Sequence, residues 1–281
     1  QGRRIESNGR KNPNQEPALI IEHADVRRML LKQKSIVEGA LSLLLETAKY
    51  VDLALEGEGE IKKESHLLLE LLTPMAKTFP AERGKEAIDN GLQVLGGYGF
   101  CTDFILQQYY RDVRIMSLYE GTTGIQSLDL LGRKITMENG RALQLLMAKM
   151  TDTMQEASTY DDLKPYVKQL EAKLGDVQKV LSRLIPMAMA GDYESFLADA
   201  TIFMDMASTV VVAYQWIKMA TAAKKALVTG NGTLETSFYE SKIHTMKYYF
   251  KYELPRVNAC MDTLMNEEEL TIVQEKQEVF R

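Results

Sequence analysis

Apolar residues recur three and four positions apart along most of this chain, and that period restricts the fold more than any other feature. Between Asp25 and Leu55 the series Val26, Met29, Leu30, Ile36, Val37, Ala40, Leu43, Leu44, Ala48, Val51 and Leu55 outlines one long amphipathic helix. Gly57-Glu58-Gly59 ends it. A second helical pattern runs from Lys62 towards Leu95, with Pro74 and Pro80 as expected kinks or breaks and Gly96-Gly97-Tyr98-Gly99 as its stop. A third pattern starts at Thr123 and reaches about Met150. Further patterns cover Leu163 to Leu184, Asp192 to about Val228 and Leu234 to Tyr252, separated at Pro186, Gly191, Gly230-Asn231-Gly232 and Pro255. No strand alternation competes with them, so the expected fold is all-α, arranged as two stacked helical bundles.

The period also suggests a division. Residues 1–22 are polar and contain Asn12-Pro13-Asn14 and Glu16-Pro17, the pattern of an irregular lead-in. Residues 23–150 then form a first bundle, the polar stretch 151–161 a linker, and 162–281 a second helical domain. A length of 281 residues with 45% hydrophobic content is enough for two cores. The charged end, Glu267-Glu268-Glu269 to Arg281, reads as a solvated helix face or frayed tail.

Charge and cysteine usage exclude several classes of function. A formal net charge of -5 offers no basic surface for nucleic acid or anionic membrane. Cys101 and Cys260 are isolated, and His23, His66 and His244 share no ligand spacing, so neither a disulfide framework nor a metal site is expected and a reducing cytoplasm fits best. The most apolar stretch, Ala200 to Ala223, carries Asp205, Gln215 and Lys218 and reads as a core helix rather than a membrane span. Its methionines and aromatics, Met204, Met206, Tyr214, Trp216 and Met219, read as gap-filling core residues.

One segment stands out chemically: Tyr119-Glu120-Gly121-Thr122-Thr123-Gly124-Ile125-Gln126. Thr123 and Gln126 have capping-box spacing, which places Glu120 just ahead of a helix start with its unpaired N–H groups. A carboxylate aimed from such a connection suits a base, and Gly121 permits close approach of a ligand to the backbone. The plainer reading of Glu120 alone is a carboxylate that favours the helix dipole.

Two further motifs change the weight of that segment. Gln93-Val94-Leu95-Gly96-Gly97-Tyr98-Gly99-Phe100, then Tyr110-Arg111-Asp112-Val113-Arg114-Ile115, then Tyr119-Glu120-Gly121-Thr122 resemble, in order and spacing, the C-terminal helical domain of acyl-CoA dehydrogenases. Ile21-Glu22-His23-Ala24-Asp25-Val26-Arg27-Arg28-Met29-Leu30 resembles the start of that domain in the branch with an added C-terminal helical domain, the methylthiopropionyl-CoA dehydrogenase-like enzymes. The resemblance implies a four-helix bundle followed by a second helical bundle. It implies FAD as cofactor, an acyl-CoA substrate, electron-transfer flavoprotein or a similar acceptor as partner, and a homodimer or homotetramer.

For individual residues the resemblance implies that Glu120 is the base that removes the α-proton of the thioester. Gln93, Gly96, Gly97, Thr122 and Gln126 become flavin contacts, with Gly97 letting the backbone approach a neighbouring subunit's dinucleotide, and Tyr119 and Gly121 become substrate contacts. Arg111, Asp112 and Arg114 are expected as an ion-paired connector that positions the Glu120 loop. An α C–H is a weak acid, so such a base has to be desolvated and aimed, and its burial is expected against flavin and acyl chain. The family's N-terminal helical and middle β-domains do not precede Gln1, so this portion is expected to fold without catalysing the reaction alone. A non-catalytic assembly module and an acyl-CoA oxidase are the alternatives.

Overall fold

The two longest helical patterns fold back on one another across a two-residue connection. The structure, a computed structural model, describes residues 9–268 and 270–272. In it α1 (Ala24–Glu56) and α2 (Gly59–Leu95) form a helical hairpin joined by Gly57 and Glu58. Its inner faces bury Ile36, Ala40, Leu43 and Tyr50 against Leu68, Leu71, Leu72, Met75 and Phe79. Pro74 and Pro80 both lie inside α2 and neither ends it. Each interior proline costs roughly 3 kcal/mol of helix stability; burial of Leu71, Leu72, Met75 and Phe79 on either side offsets that locally.

The rest of the described chain is helical too: α3 (Leu106–Ile115), α4 (Thr123–Asp129), α5 (Met137–Ala157), α6 (Lys164–Met189), α7 (Tyr193–Leu197), α8 (Ala200–Thr229), α9 (Thr236–Tyr252) and α10 (Arg256–Leu264). The fold is all-α, with no strand among the described residues. Residues 9–22 form turns and one 3-10 turn, Ile20–Glu22.

Several local expectations are corrected. The helix expected to run unbroken from Thr123 to Met150 is interrupted twice. A π turn at Leu130–Lys134 closes with Ile135 N donating to the Leu130 carbonyl, and Glu138, Asn139 and Gly140 then take left-handed conformations. The π turn inserts an extra residue into the helix and so rotates the residues beyond it about the helix axis; it buries Leu130 and Leu131 and lets Lys134 reach Glu70 on α2. The stretch 151–161 expected as a linker is helical to Ala157, where α5 ends, because Met150, Met154 and Ala157 repeat at helical spacing on a buried face. Pro186 is not a break: α6 passes through it and stops before Gly191, whose φ is +85°. The acidic tail lies largely outside the described residues.

α8 is the helix around which the others assemble. It packs against α1, α2, α4, α5, α6, α9 and α10. Trp216, Phe203, Val212, Ala213, Ile217 and Ala220 are fully enclosed within one hydrophobic core that also takes in the hairpin. By length and a mean hydropathy of 1.2 this helix could cross a membrane despite Asp205 and Lys218, but 83% of its apolar window is buried by neighbouring helices. Polar contacts pin it to α1. The Trp216 indole donates to the Ser35 carbonyl at 3.0 Å, Ser42 donates to Gln215 at 2.8 Å, and Gln215 and Lys218 both donate to Glu46.

Candidate active site

The chain between α3 and α4 forms a tight loop whose neck closes where Thr123 N donates to the Ser117 carbonyl at 3.3 Å. Ser117 is buried, and Arg114 donates to its hydroxyl. Of the expected ion-paired connector, Arg114 alone holds this loop, through a serine rather than a carboxylate, while Asp112 accepts from Gln108. At the tip Glu120 has φ 55° and Gly121 φ 88°. Left-handed backbone is uncommon for a residue with a side chain and such outliers concentrate at functional sites. At Gly121 the φ favours glycine, and a Cβ would lie 2.9 Å from the Gln126 amide nitrogen, the mobile end of that side chain.

The expected capping box shifts by one residue. Thr122 is the N-cap, accepting from Ile125 N at 3.3 Å, while the Thr123 hydroxyl donates to Glu82 on α2. Gln126 does not cap the helix; its amide reaches back to the Glu120 carbonyl at 3.2 Å. Lys77, also on α2, donates to the Gly121 carbonyl. The loop backbone is therefore fixed from several sides, while the Glu120 side chain is exposed and receives no hydrogen bond or ion pair among the described residues. Burial works to raise the Glu82 carboxyl, but hydrogen bonds from Lys85 and Thr123 outweigh it and hold the group below its ordinary value.

Tyr119, Glu120, Gly121, Thr122 and Gln126 are thus brought together. Gln93, Gly96 and Gly97 are not. Lys77, which holds the Glu120 loop, precedes Gln93 on α2 by about sixteen residues, roughly 24 Å of helix at about 1.5 Å per residue. Gly96 closes α2 with φ 61°, and a Cβ at Gly96 or Gly97 would meet nothing within 4 Å, so this backbone lies open to an approaching group.

Around these two regions the surface is unusually apolar. Tyr98 and Phe100 are 69% and 92% exposed, and Phe104, Ile105, Tyr109, Tyr110, Ile115, Met116, Leu118 and Tyr119 are exposed as well. No residue of α3 is buried. A patch of this kind on a folded chain marks a surface made to be covered. No group of His, Cys, Asp and Glu that could hold a metal occurs among the described residues.

Sequence reasoning missed Lys77, Glu82 and Ser117. Lys77 and Glu82 lie some forty residues before the loop they hold, and nothing local to the motif signals them.

A helical fold with a carboxylate loop between α3 and α4 and an open glycine turn after α2 corresponds to a known class. Residues 10–136 match the acyl-CoA dehydrogenase C-terminal domain, and residues 146–273 match the acetyl-CoA dehydrogenase C-terminal-like domain. The chain belongs to the acyl-CoA dehydrogenase family, as part of its C-terminal helical region. Among curated relatives, it is 32% identical over 259 residues to 3-methylmercaptopropionyl-CoA dehydrogenase of Ruegeria pomeroyi, covering 91% of this chain and 43% of that protein. It is 31% identical over 255 residues to the broad-specificity linear acyl-CoA dehydrogenase FadE5 of Mycobacterium tuberculosis, covering 87% of this chain and 41% of that protein. It therefore spans less than half the length of these relatives.

Two solved structures share the fold. Caenorhabditis elegans ACDH-11 in complex with C11-CoA superposes with a TM-score of 0.66 at 23% identity, covering 82% of this chain and 36% of that one. An acyl-CoA dehydrogenase complexed with FAD from Bacillus anthracis gives 0.65 at 17% identity, covering 92% and 44%.

Proposed function

We propose that this chain supplies the C-terminal part of an FAD-dependent acyl-CoA dehydrogenase site, with Glu120 as the base that removes the α-proton of an acyl-CoA thioester to give a trans-2-enoyl-CoA. The observation that carries the reading is the Glu120 loop, whose backbone is fixed by α2 and α4 while its carboxylate is left unpaired and exposed. A base has to keep its lone pairs for substrate, and a carboxylate without a partner among the described residues, on a loop of fixed backbone and positive φ, meets that demand. Desolvation of Glu120 is to come from what covers the apolar surface beside it.

The open turn at Gly96 and Gly97, with Gln93 exposed beside it, fits a dinucleotide that approaches the backbone closely. Its separation of roughly 24 Å from the part of α2 that holds the loop suits two ends of an extended cofactor, or the sites of two subunits, better than one small ligand. FAD, when bound, would accept the hydride from the β-carbon. The residues of this chain would contact FAD at Gln93, Gly96 and Gly97, with Gly97 towards a neighbouring subunit's dinucleotide, and near Thr122 and Gln126. Glu120 Oε would take the α-proton, with Tyr119 and Gly121 against the thioester.

The test uses the protein that carries this chain together with the family's upstream domains. It should retain yellow flavin and bleach on addition of acyl-CoA, and Glu120→Gln should abolish bleaching while flavin stays bound. Bleaching at the wild-type rate in Glu120→Gln would end the proposal. Stoichiometric oxygen consumption during turnover would shift it to an oxidase.

A further inference from the structure

We propose that Lys77 is a positioning residue for the proton-abstraction step: by binding the carbonyl of Gly121 it holds the left-handed turn that projects the Glu120 carboxylate. The proposal rests on the reading of Glu120 as base. Two successive residues, Glu120 and Gly121, have positive φ, and the first carries a side chain, so the turn has to be held by its surroundings. Both of their carbonyls are bound by side chains from separate elements. Gln126 Nε2 on α4 donates to the Glu120 carbonyl at 3.2 Å, and Lys77 Nζ on α2 donates to the Gly121 carbonyl at 2.5 Å. Gln126 belongs to the same short stretch as the loop and moves with it. Lys77 ties the turn to the buried helical hairpin.

The charge of Lys77 has no other evident task. It is half-buried, and among the described residues no carboxylate lies within ion-pair distance; its ammonium also faces the Tyr119 ring, 6.0 Å from Nζ to centroid. A hydrogen bond from an ammonium is roughly twice as strong as a neutral one, which suits a contact that holds strained backbone. Five residues further along α2, Glu82 takes the Thr123 hydroxyl, so α2 grips the loop on both sides of Thr122. Movement of Gly121 away from α2 would let both φ angles relax, and the carboxylate direction would be lost with them.

Two measurements test this. On the 281-residue chain itself, without flavin, Lys77→Met should speed hydrogen exchange of the Thr123 amide, which donates to Ser117, by about ten-fold or more, as loss of one charge-assisted bond implies. Amides inside α1 and α2 should keep wild-type protection, and Lys77→Arg should restore Thr123. In the flavin-loaded protein, Lys77→Met should slow acyl-CoA bleaching by about 100-fold at saturating substrate with little change in half-saturation, the cost of a base misplaced by about 1 Å, and Lys77→Arg should recover most of it. Wild-type exchange at Thr123 in Lys77→Met would overturn the proposal. So would a slowed reaction that Arg fails to rescue and that accompanies lost protection throughout α2. If Glu120→Gln bleaches normally, the base reading fails instead, and the exchange measurement then judges the hold of Lys77 on the loop by itself.

Discussion

Alanine at Gly39 should destabilise this protein, although alanine in a helix interior normally does the opposite. Gly39 lies within α1 where that helix meets α8. A Cβ there would lie 2.6 Å from Val212 Cγ1 and 2.8 Å from Trp216 Nε1, and both neighbours are fully buried. The indole cannot swing aside without releasing its 3.0 Å bond to the Ser35 carbonyl, one turn earlier on the same face of α1. Helix propensity favours alanine by about 1 kcal/mol. Overpacking costs about 1 to 3 kcal/mol, and loosening the buried bond about 1 more. The expected net loss is about 1 to 3 kcal/mol.

Gly175, inside α6 with nothing within 4 Å of its Cβ position, supplies the control. Gly175→Ala should stabilise by up to about 1 kcal/mol. Trp216 is the single tryptophan, so urea unfolding followed by its fluorescence reads the α1–α8 contact directly. Val212→Ala in the Gly39→Ala background should recover part of the loss, because it removes the methyl at 2.6 Å. If Gly39→Ala and Gly175→Ala raise stability alike, the two helices are not in the close approach described and the reasoning fails.

Two further outcomes rest on buried titratable groups. Burial works to raise the Glu46 carboxyl, but the Gln215 hydrogen bond and Lys218 outweigh it and leave it net below its ordinary 4.5; its contribution to stability is therefore present above about pH 4.5 and lost as pH falls through the depressed value. Urea midpoints measured from about pH 7 to pH 3 should fall more steeply below about pH 4.5 in wild type than in Glu46→Gln; parallel curves would show that Glu46 contributes nothing there. The Cys260 thiol is pushed up to about 11 by burial and by Asp205, whereas Cys101 is exposed. Iodoacetamide at about pH 8 should label Cys101 in the native protein and Cys260 only after unfolding, and equal labelling in the native state would contradict the packing of α10 on α8.

Much of the site was legible because its parts are local. The Gln93–Phe100 turn, the Arg111–Arg114 connector and the Tyr119–Gln126 segment are each short enough for order and spacing to identify. Their chemical types follow from what glycine, glutamate and a helix start can do. The cap was misplaced by one residue because Thr122 and Thr123 have equivalent side chains, and the choice between them was made by Glu82 on another helix. The break expected at Pro186 failed for a related reason, and for the same reason neither Pro74 nor Pro80, expected as kinks or breaks, ends α2. A proline's local cost is fixed, while the apolar burial that offsets it comes from helices distant in sequence.

By itself the sequence determined the helical class, the limits of α1, α2 and α9 to within a few residues, and the three linked motifs that carry the family resemblance. Those properties depend on side-chain period, glycine conformation and spacing, all of which are local. The tertiary structure decided that α8, apolar enough to be confused with a membrane span, is the centre of a shared core. It decided that the polar stretch after Met150 continues a helix, and that Lys77, Glu82 and Ser117 hold the Glu120 loop. These depend on which surfaces meet, and the energy of a contact between residues 77 and 121 leaves no periodic trace in the chain that connects them.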